Sequence, residues 1–190
     1  MNIQDLIAAN GRRWLSVKLT NESFNSVANR LVAHKDRYVT VSDATTVPWF
    51  VIAVIHERES SQDWETNLAQ GDPFDKVSIH VPAGRGPFET WEDAAYDALM
   101  NCAPHAGLWK DWSAGGTLTL LEEYNGLGYA FHGVPSPYIW SGTDQYRSGK
   151  YTADHVYDPN YVDHQLGCAG LILAMMDIDK TISFTQPQTP

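Results

Sequence analysis

Glu59, Asp72 and Ser78 place two carboxyl groups and one hydroxyl group within a short segment of the sequence. Glu59 lies on one helical stripe with Val51 and Ile55, so its carboxyl group should be partly desolvated, which raises the pKa of a carboxylic acid. Asp72 lies in a polar turn, where a carboxyl group stays ionised. Cleavage of a glycosidic bond needs one carboxylic acid and one carboxylate. The spacing therefore predicts glycan chemistry, with Glu59 as the general acid.

Each of these side chains also has a structural interpretation. Glu59 could be a buried glutamate that is paired with Arg58 or Arg85. The Gly-Asp-Pro sequence around Asp72 is common in turns in which the aspartate bonds its own backbone. Ser78 could carry a hydroxyl group that faces solvent. The residues alone leave both sets of interpretations open.

The carboxyl group of Glu59 should be positioned by a helix that begins near Thr46. Thr46 is a residue type that caps helices, and Pro48 fits a first helical turn, where no backbone N–H donor is needed. Glu57 lies on another face of this helix, and we expect it to face solvent. After the helix and a polar loop, the alternating run at 77–81 predicts a small β-ribbon.

Further helices are predicted from capping residues and hydrophobic periodicity. They cover residues 3–9, a segment that starts at Asn21, residues 90–102, residues 114–124 and residues 159–176. Residues 126–158 are rich in Gly, Pro, Ser and Tyr, and their aromatic side chains favour a long ordered loop over disorder. We predict one domain over residues 1–184 and a flexible tail over residues 185–190.

The composition excludes several classes of partner. The 190-residue chain carries 13 basic and 23 acidic residues, a net charge of −10, and no basic stripe, so we expect no nucleic-acid partner. No apolar run approaches the roughly 20 residues of a membrane span, and the N-terminus lacks the pattern of a signal peptide. We therefore expect synthesis in the cytoplasm and no stable membrane association.

The sequence predicts no metal site and no cofactor. Cys102 and Cys168 are too few for a disulfide scaffold, so we interpret them as two buried thiols, although the sequence leaves their pairing open. His56 and Glu57 begin the zinc-protease pattern His-Glu-x-x-His, but Ser60 stands at the position of the second histidine.

Several short motifs resemble the lysozyme superfamily. The segment Ala53-Val54-Ile55-His56-Glu57-Arg58-Glu59-Ser60-Ser61 resembles the glutamate helix of lytic transglycosylases, and Glu123-Tyr124-Asn125-Gly126 resembles the Tyr-Asn-Ala-Gly element of goose-type lysozymes. Asp72 is followed six positions later by Ser78, which is similar to the aspartate and threonine of phage-type lysozymes. Together with residues 136–140, the pattern resembles the lysozyme-like endolysins of phages and prophages. It departs from phage-type lysozymes in its longer step from Glu59 to Asp72, in Ser78 replacing threonine, and in lacking a Gly-x-Gly-His hairpin.

This resemblance implies a lysozyme-like fold of the α+β class, mostly α, with a small β-ribbon beside an active-site cleft. It also implies a monomeric muramidase that cleaves the β-1,4 bond between N-acetylmuramic acid and N-acetylglucosamine of peptidoglycan. Asp72 and Ser78 would then assist Glu59, and a holin would give the enzyme access to the cell wall in the periplasm. The residues implied in glycan binding are Tyr124, Asn125, Tyr129, Tyr138 and Trp140.

Two alternatives belong to other classes of function. A lytic transglycosylase would use Glu59 without water and would form 1,6-anhydro products. A non-catalytic glycan-binding protein could keep a lysozyme-like scaffold without its chemistry. The presence of Asp72 favours hydrolysis over both, because transglycosylases typically work with the glutamate alone and a binding module gains nothing from a half-buried carboxyl group.

Overall fold

A computed structural model describes residues 2–69, 71–153 and 155–186. In these residues the chain is mostly helical, with one 3₁₀ helix at Ala106–Leu108 and one small sheet, which confirms the predicted α+β, mostly α class. Residues 187–190 of the predicted flexible tail lie outside the described residues. The α-helices are α1 (Ile3–Trp14), α2 (Ser23–Ala33), α3 (Lys35–Thr45), α4 (Trp49–Ser60), α5 (Trp91–Asn101), α6 (Ala114–Asn125), α7 (Gly128–Phe131), α8 (Pro137–Trp140) and α9 (Cys168–Ile178).

The chain divides into two compact units. The inserted unit is Arg30–Lys110, and the terminal unit combines Met1–Asn29 with Asp111–Pro190. The single domain over residues 1–184 therefore stays a prediction. Cys102 lies in the inserted unit and Cys168 in the terminal unit, and both are buried free thiols, as predicted.

In the inserted unit, α4 packs against α3, and α3 also packs against α5. Every residue of α4 from Phe50 to Glu57 is buried, so the helix has no solvent-facing side along this length. The predicted start of the helix was wrong by three residues. Thr46 does not cap α4 but ends α3 with a positive φ of 63°, and Pro48 is the residue that precedes α4. The preceding helix, α3, was not predicted at all, because its residues show little apolar periodicity.

In the terminal unit, α1 packs along α6. The first helix was predicted over residues 3–9, with Asn10-Gly11 as its stop, but α1 continues to Trp14, and both of these residues contact α6. The buried amide of Asn10 donates to Thr119 Oγ1 and Glu122 Oε2, each at 3.2 Å. A methyl group on Gly11 would lie 3.7 Å from the Cα of Gly115. Asn-Gly is therefore a close packing surface here rather than a helix stop.

The predicted loop at 126–158 contains α7, α8 and the described sheet. Strands β1 (Lys150–Ala153) and β2 (Val156–Asp158) are antiparallel, with Tyr151 opposite Tyr157. The small ribbon predicted at 77–81 was thus misplaced, since that run forms no strand. The last helix, α9, begins at Cys168 rather than near residue 159, and it packs against α8.

Among the described residues, no single helix has the length and hydropathy of a membrane span. Taken together, α3 and α4 pass such a test by length and composition, but they meet at a bend of 113°.

Candidate active site

Glu59 lies in the last turn of α4, where the buried part of the helix meets the surface. Its side chain is half-buried. The helix ends at Ser60, whose hydroxyl donates to the carbonyl of His56 at 3.1 Å. Ser61 and Gln62 follow with positive φ angles of 54° and 65°, a conformation that costs free energy in residues other than glycine. A left-handed residue such as Ser61 is a common way to end a helix, and the second one, Gln62, continues the tight turn that begins two residues after Glu59.

Glu57 differs from its prediction. We expected it to face solvent, but the residue is only 8% exposed, and the amide of Gln62 donates to its Oε2 at 2.7 Å. The reason is that α4 is surrounded on all sides, so a helical stripe does not distinguish a buried face from an exposed one. Both glutamates therefore lie in partly desolvated surroundings at the end of α4.

His56 anchors the end of α4 to the loop that follows it. Its Nε2 lies 3.0 Å from the carbonyl oxygen of Asp63, which can only accept, so Nε2 carries the proton and Nδ1 accepts from the Tyr38 hydroxyl at 3.0 Å. Burial lowers the pKa of His56 to about 4, so the imidazole is neutral at neutral pH. The rings of Trp64 and Trp91 lie 4.4 Å and 4.7 Å from the imidazole.

The loop that follows α4 folds back and places Asp72 beside the end of that helix. Thr66 and Pro73 form a β-bridge, and the N–H of Asn67 donates to the carbonyl of Asp72 at 2.9 Å. At the neighbouring Gly71, a methyl group would lie 3.7 Å from the carbonyl oxygen of Glu59. The chain that carries the second carboxyl group thus runs beside the residue that carries the first.

The carboxylate of Asp72 does not bond its own turn. Its Oδ2 accepts the backbone N–H groups of Ile79 and His80, each at 2.9 Å, and its Oδ1 lies 2.6 Å from Nδ1 of His80. The backbone N–H and then the imidazole of His80 are the main reasons why the pKa of Asp72 is below its usual range. This carboxyl group is therefore ionised, as the sequence predicted.

Ser78 braces the same loop. Its hydroxyl donates to the carbonyl of Pro82 at 3.0 Å and accepts the N–H of Arg85 at 2.9 Å. The guanidinium of Arg85 forms a two-pronged ion pair with Asp97 of α5, which also accepts the amide of Asn101. The hydroxyl proton of Ser78 is already used in the hydrogen bond to Pro82, so Ser78 can accept a hydrogen bond from a water molecule but cannot donate one.

The alternating run at 77–81 exposes its apolar side chains, which is the opposite of a ribbon with an apolar inner face. Ser78 is buried, whereas Val77, Ile79 and Val81 are exposed. The hydrogen bonds of Ser78 to Pro82 and Arg85 hold its side chain inward, and the neighbouring apolar side chains point outward.

The glycan-binding residues implied by the resemblance lie in the terminal unit. Tyr124 is half-buried and Asn125 is exposed at the end of α6, and their role in glycan binding stays a prediction. Tyr129 is buried, and its hydroxyl accepts the N–H of Tyr151 at 3.1 Å. Tyr138 and Trp140 are 3% and 0% exposed. Side chains without exposed surface cannot stack on a sugar ring, so these two pack in the core.

An aromatic group near Tyr129 is more accessible. His132 stacks on Tyr157 with ring centres 5.1 Å apart, and the half-buried ring of Tyr151 lies beside both. Tyr151 and Tyr157 belong to the predicted loop at 126–158, and neither was predicted as a site residue.

His80 is the clearest residue that the sequence analysis missed. Its side chain is 70% exposed while its Nδ1 bonds the nearly buried carboxylate of Asp72. His80 could be seen in the sequence as the polar member of an alternating run, but only the loop geometry shows that its side chain faces Asp72.

Within the described ranges, no three His, Cys, Asp or Glu side chains are grouped so that they could hold a metal ion.

No protein-family model matches this chain, and the searches found neither a similar curated protein nor a similar solved structure.

Proposed function

We propose that this chain is a peptidoglycan-degrading glycoside hydrolase of the lysozyme type. The observation that supports this proposal most is the pairing of two unlike carboxyl groups in one unit. Glu59 lies in the last turn of a helix that is buried from Phe50 to Glu57, and the adjacent loop carries Asp72, whose carboxylate accepts two backbone N–H groups. A half-buried carboxyl group that can donate a proton and a stabilised carboxylate are the two groups that glycosidic cleavage requires.

In the proposed mechanism, Glu59 protonates the oxygen of the β-1,4 bond between N-acetylmuramic acid and N-acetylglucosamine. Asp72 keeps a negative charge near the sugar ring that develops positive charge in the transition state. Because the chain has a net charge of −10 and peptidoglycan is anionic, recognition must rely on short-range contacts rather than on long-range attraction.

The experiment that tests this proposal is digestion of purified peptidoglycan, followed by mass spectrometry of the soluble products. We expect muropeptides with reducing N-acetylmuramic acid ends. Products with 1,6-anhydro ends would instead identify a lytic transglycosylase. Binding to peptidoglycan without any cleavage would identify a non-catalytic glycan-binding protein, and the absence of both binding and cleavage would contradict the proposal altogether.

A further inference from the structure

His80 and Asp72 form a hydrogen-bonded pair at the surface of the inserted unit. Nδ1 of His80 lies 2.6 Å from Oδ1 of Asp72, and the second oxygen of this carboxylate is held by two backbone N–H groups. The side chain of Asp72 is 10% exposed, whereas that of His80 is 70% exposed. The imidazole is therefore the solvent-facing end of the pair.

The ionised carboxylate determines which ring nitrogen of His80 carries the proton. A carboxylate can only accept hydrogen bonds, so Nδ1 must donate to it. The neutral imidazole then has its lone pair on Nε2, the nitrogen that faces away from Asp72. A carboxylate that orients an imidazole in this way also stabilises the imidazolium that forms when Nε2 takes a proton.

Ser78 and Asp72, the two other candidate site residues of the loop, are less suited to accept a proton from water. The hydroxyl of Ser78 is buried, donates to Pro82 and accepts from Arg85. Both oxygens of Asp72 already accept hydrogen bonds, which makes them weaker bases. His80 is the exposed group that is joined directly to Asp72.

We propose that Asp72 and His80 act as a dyad in which Nε2 of His80 is the general base that activates the attacking water. This inference rests on the proposed function and assigns the acceptor of the proton in its hydrolytic step. Asp72 is then a positioning residue, because it acts on the water through the imidazole.

The proposed step is balanced in atoms and charge. The water oxygen forms a bond to the anomeric carbon of the sugar while one of its protons moves to Nε2 of His80. The bond between this carbon and the glycosidic oxygen breaks, and the oxygen takes the proton of Glu59. The step leaves an imidazolium and a glutamate carboxylate, and exchange of one proton through solvent restores both groups.

The sharpest variant is His80→Asn. The amide nitrogen of asparagine can take the place of Nδ1 and donate to Asp72, so the loop is retained, but no basic nitrogen remains. We expect kcat for peptidoglycan cleavage to fall by about 10² or more, because a general base typically contributes a factor of this size. KM should change little. Adding imidazole to His80→Ala should restore part of the rate.

His155→Asn is a matched control. His155 is an exposed histidine at the turn between β1 and β2 with a positive φ of 61°, which asparagine adopts readily. The His155→Asn variant should cleave peptidoglycan at the wild-type rate.

Two results would show that His80 only fastens the loop. One is wild-type activity in His80→Asn. The other is a loss of activity that parallels a loss of thermal stability and is not rescued by imidazole. Either result overturns the dyad while leaving the proposed function intact. Failure of the proposed function is a different result, since the wild-type chain itself would then leave peptidoglycan uncleaved.

Discussion

Individual carboxyl groups in this chain are distinguished by what surrounds them rather than by their place in the sequence. N–H donors lower the pKa of Asp72 and so favour its ionised form. Glu122 of α6 is only 2% exposed, and burial raises its pKa despite the hydrogen bond from Asn10. A raised folded-state pKa means that the folded chain binds more protons than the unfolded chain between the two pKa values. Stability therefore falls as pH rises through this window.

We predict that Glu122→Gln stabilises the protein at pH 7 to 8. Glutamine keeps an oxygen that can accept from Asn10 and removes the cost of a buried charge. If that cost is about 1 kcal/mol, the melting temperature should rise by roughly 2 to 4 °C. Below the unfolded pKa of a glutamate, about 4.3, the two proteins should melt together. An equal gain at both pH values would show that charge is not the cause.

Sequence reasoning at the residue scale was limited by contacts that the loop creates. The ionised state of Asp72 was predicted from its polar turn, but the groups that lower its pKa are the backbone N–H and imidazole of His80. The burial of Glu57 was not predicted, because α4 is enclosed by neighbours that a helical stripe does not reveal. The role of His80 depends on the way the chain folds back onto Asp72, and nothing local to His80 encodes that contact.

At the scale of the elements, capping residues predicted α5 and α6 well but failed at Thr46, which ends α3 instead of starting α4. Thr90 caps α5 through the N–H of Asp93, and α6 spans Ala114–Asn125, close to its predicted bounds. Gly and Asn were misleading in α1, because the contact with α6 uses small residues in mid-helix. The helix pair therefore provides a direct test of why glycine occurs there.

Gly11 and Gly115 are two glycines of one helix contact that should respond differently to alanine. A methyl group on Gly115 would overlap the backbone carbonyl oxygen of Ile7, so Gly115→Ala must push α1 away and should destabilise the protein by about 1 to 3 kcal/mol. A methyl group on Gly11 meets only ordinary contacts, so Gly11→Ala should be neutral or should gain up to about 1 kcal/mol from helix propensity. Urea unfolding of both variants measures the difference. Equal effects would mean that this packing does not constrain α1.

For the whole molecule, capping residues and hydrophobic periodicity predicted a largely helical chain, but not its division into two compact units. Hydrophobic content shows that a core can form, whereas the number of units depends on which residues far apart in sequence come together. The inserted unit carries Glu59 and Asp72, and the terminal unit carries Tyr124 and Asn125. The cleavage chemistry can therefore be tested by substitutions in the inserted unit alone.

The most direct test of the central claim compares Glu59→Gln with Glu57→Gln in the release of reducing ends from purified peptidoglycan. Glu59→Gln keeps the size of the side chain and removes the proton donor, so its rate should fall by at least about 10² to 10⁴ while the variant remains folded. Glu57→Gln, in which the amide can still accept from Gln62, should cleave at close to the wild-type rate. Retained cleavage by Glu59→Gln, or a greater loss in Glu57→Gln at unchanged melting temperature, would contradict Glu59 as the general acid.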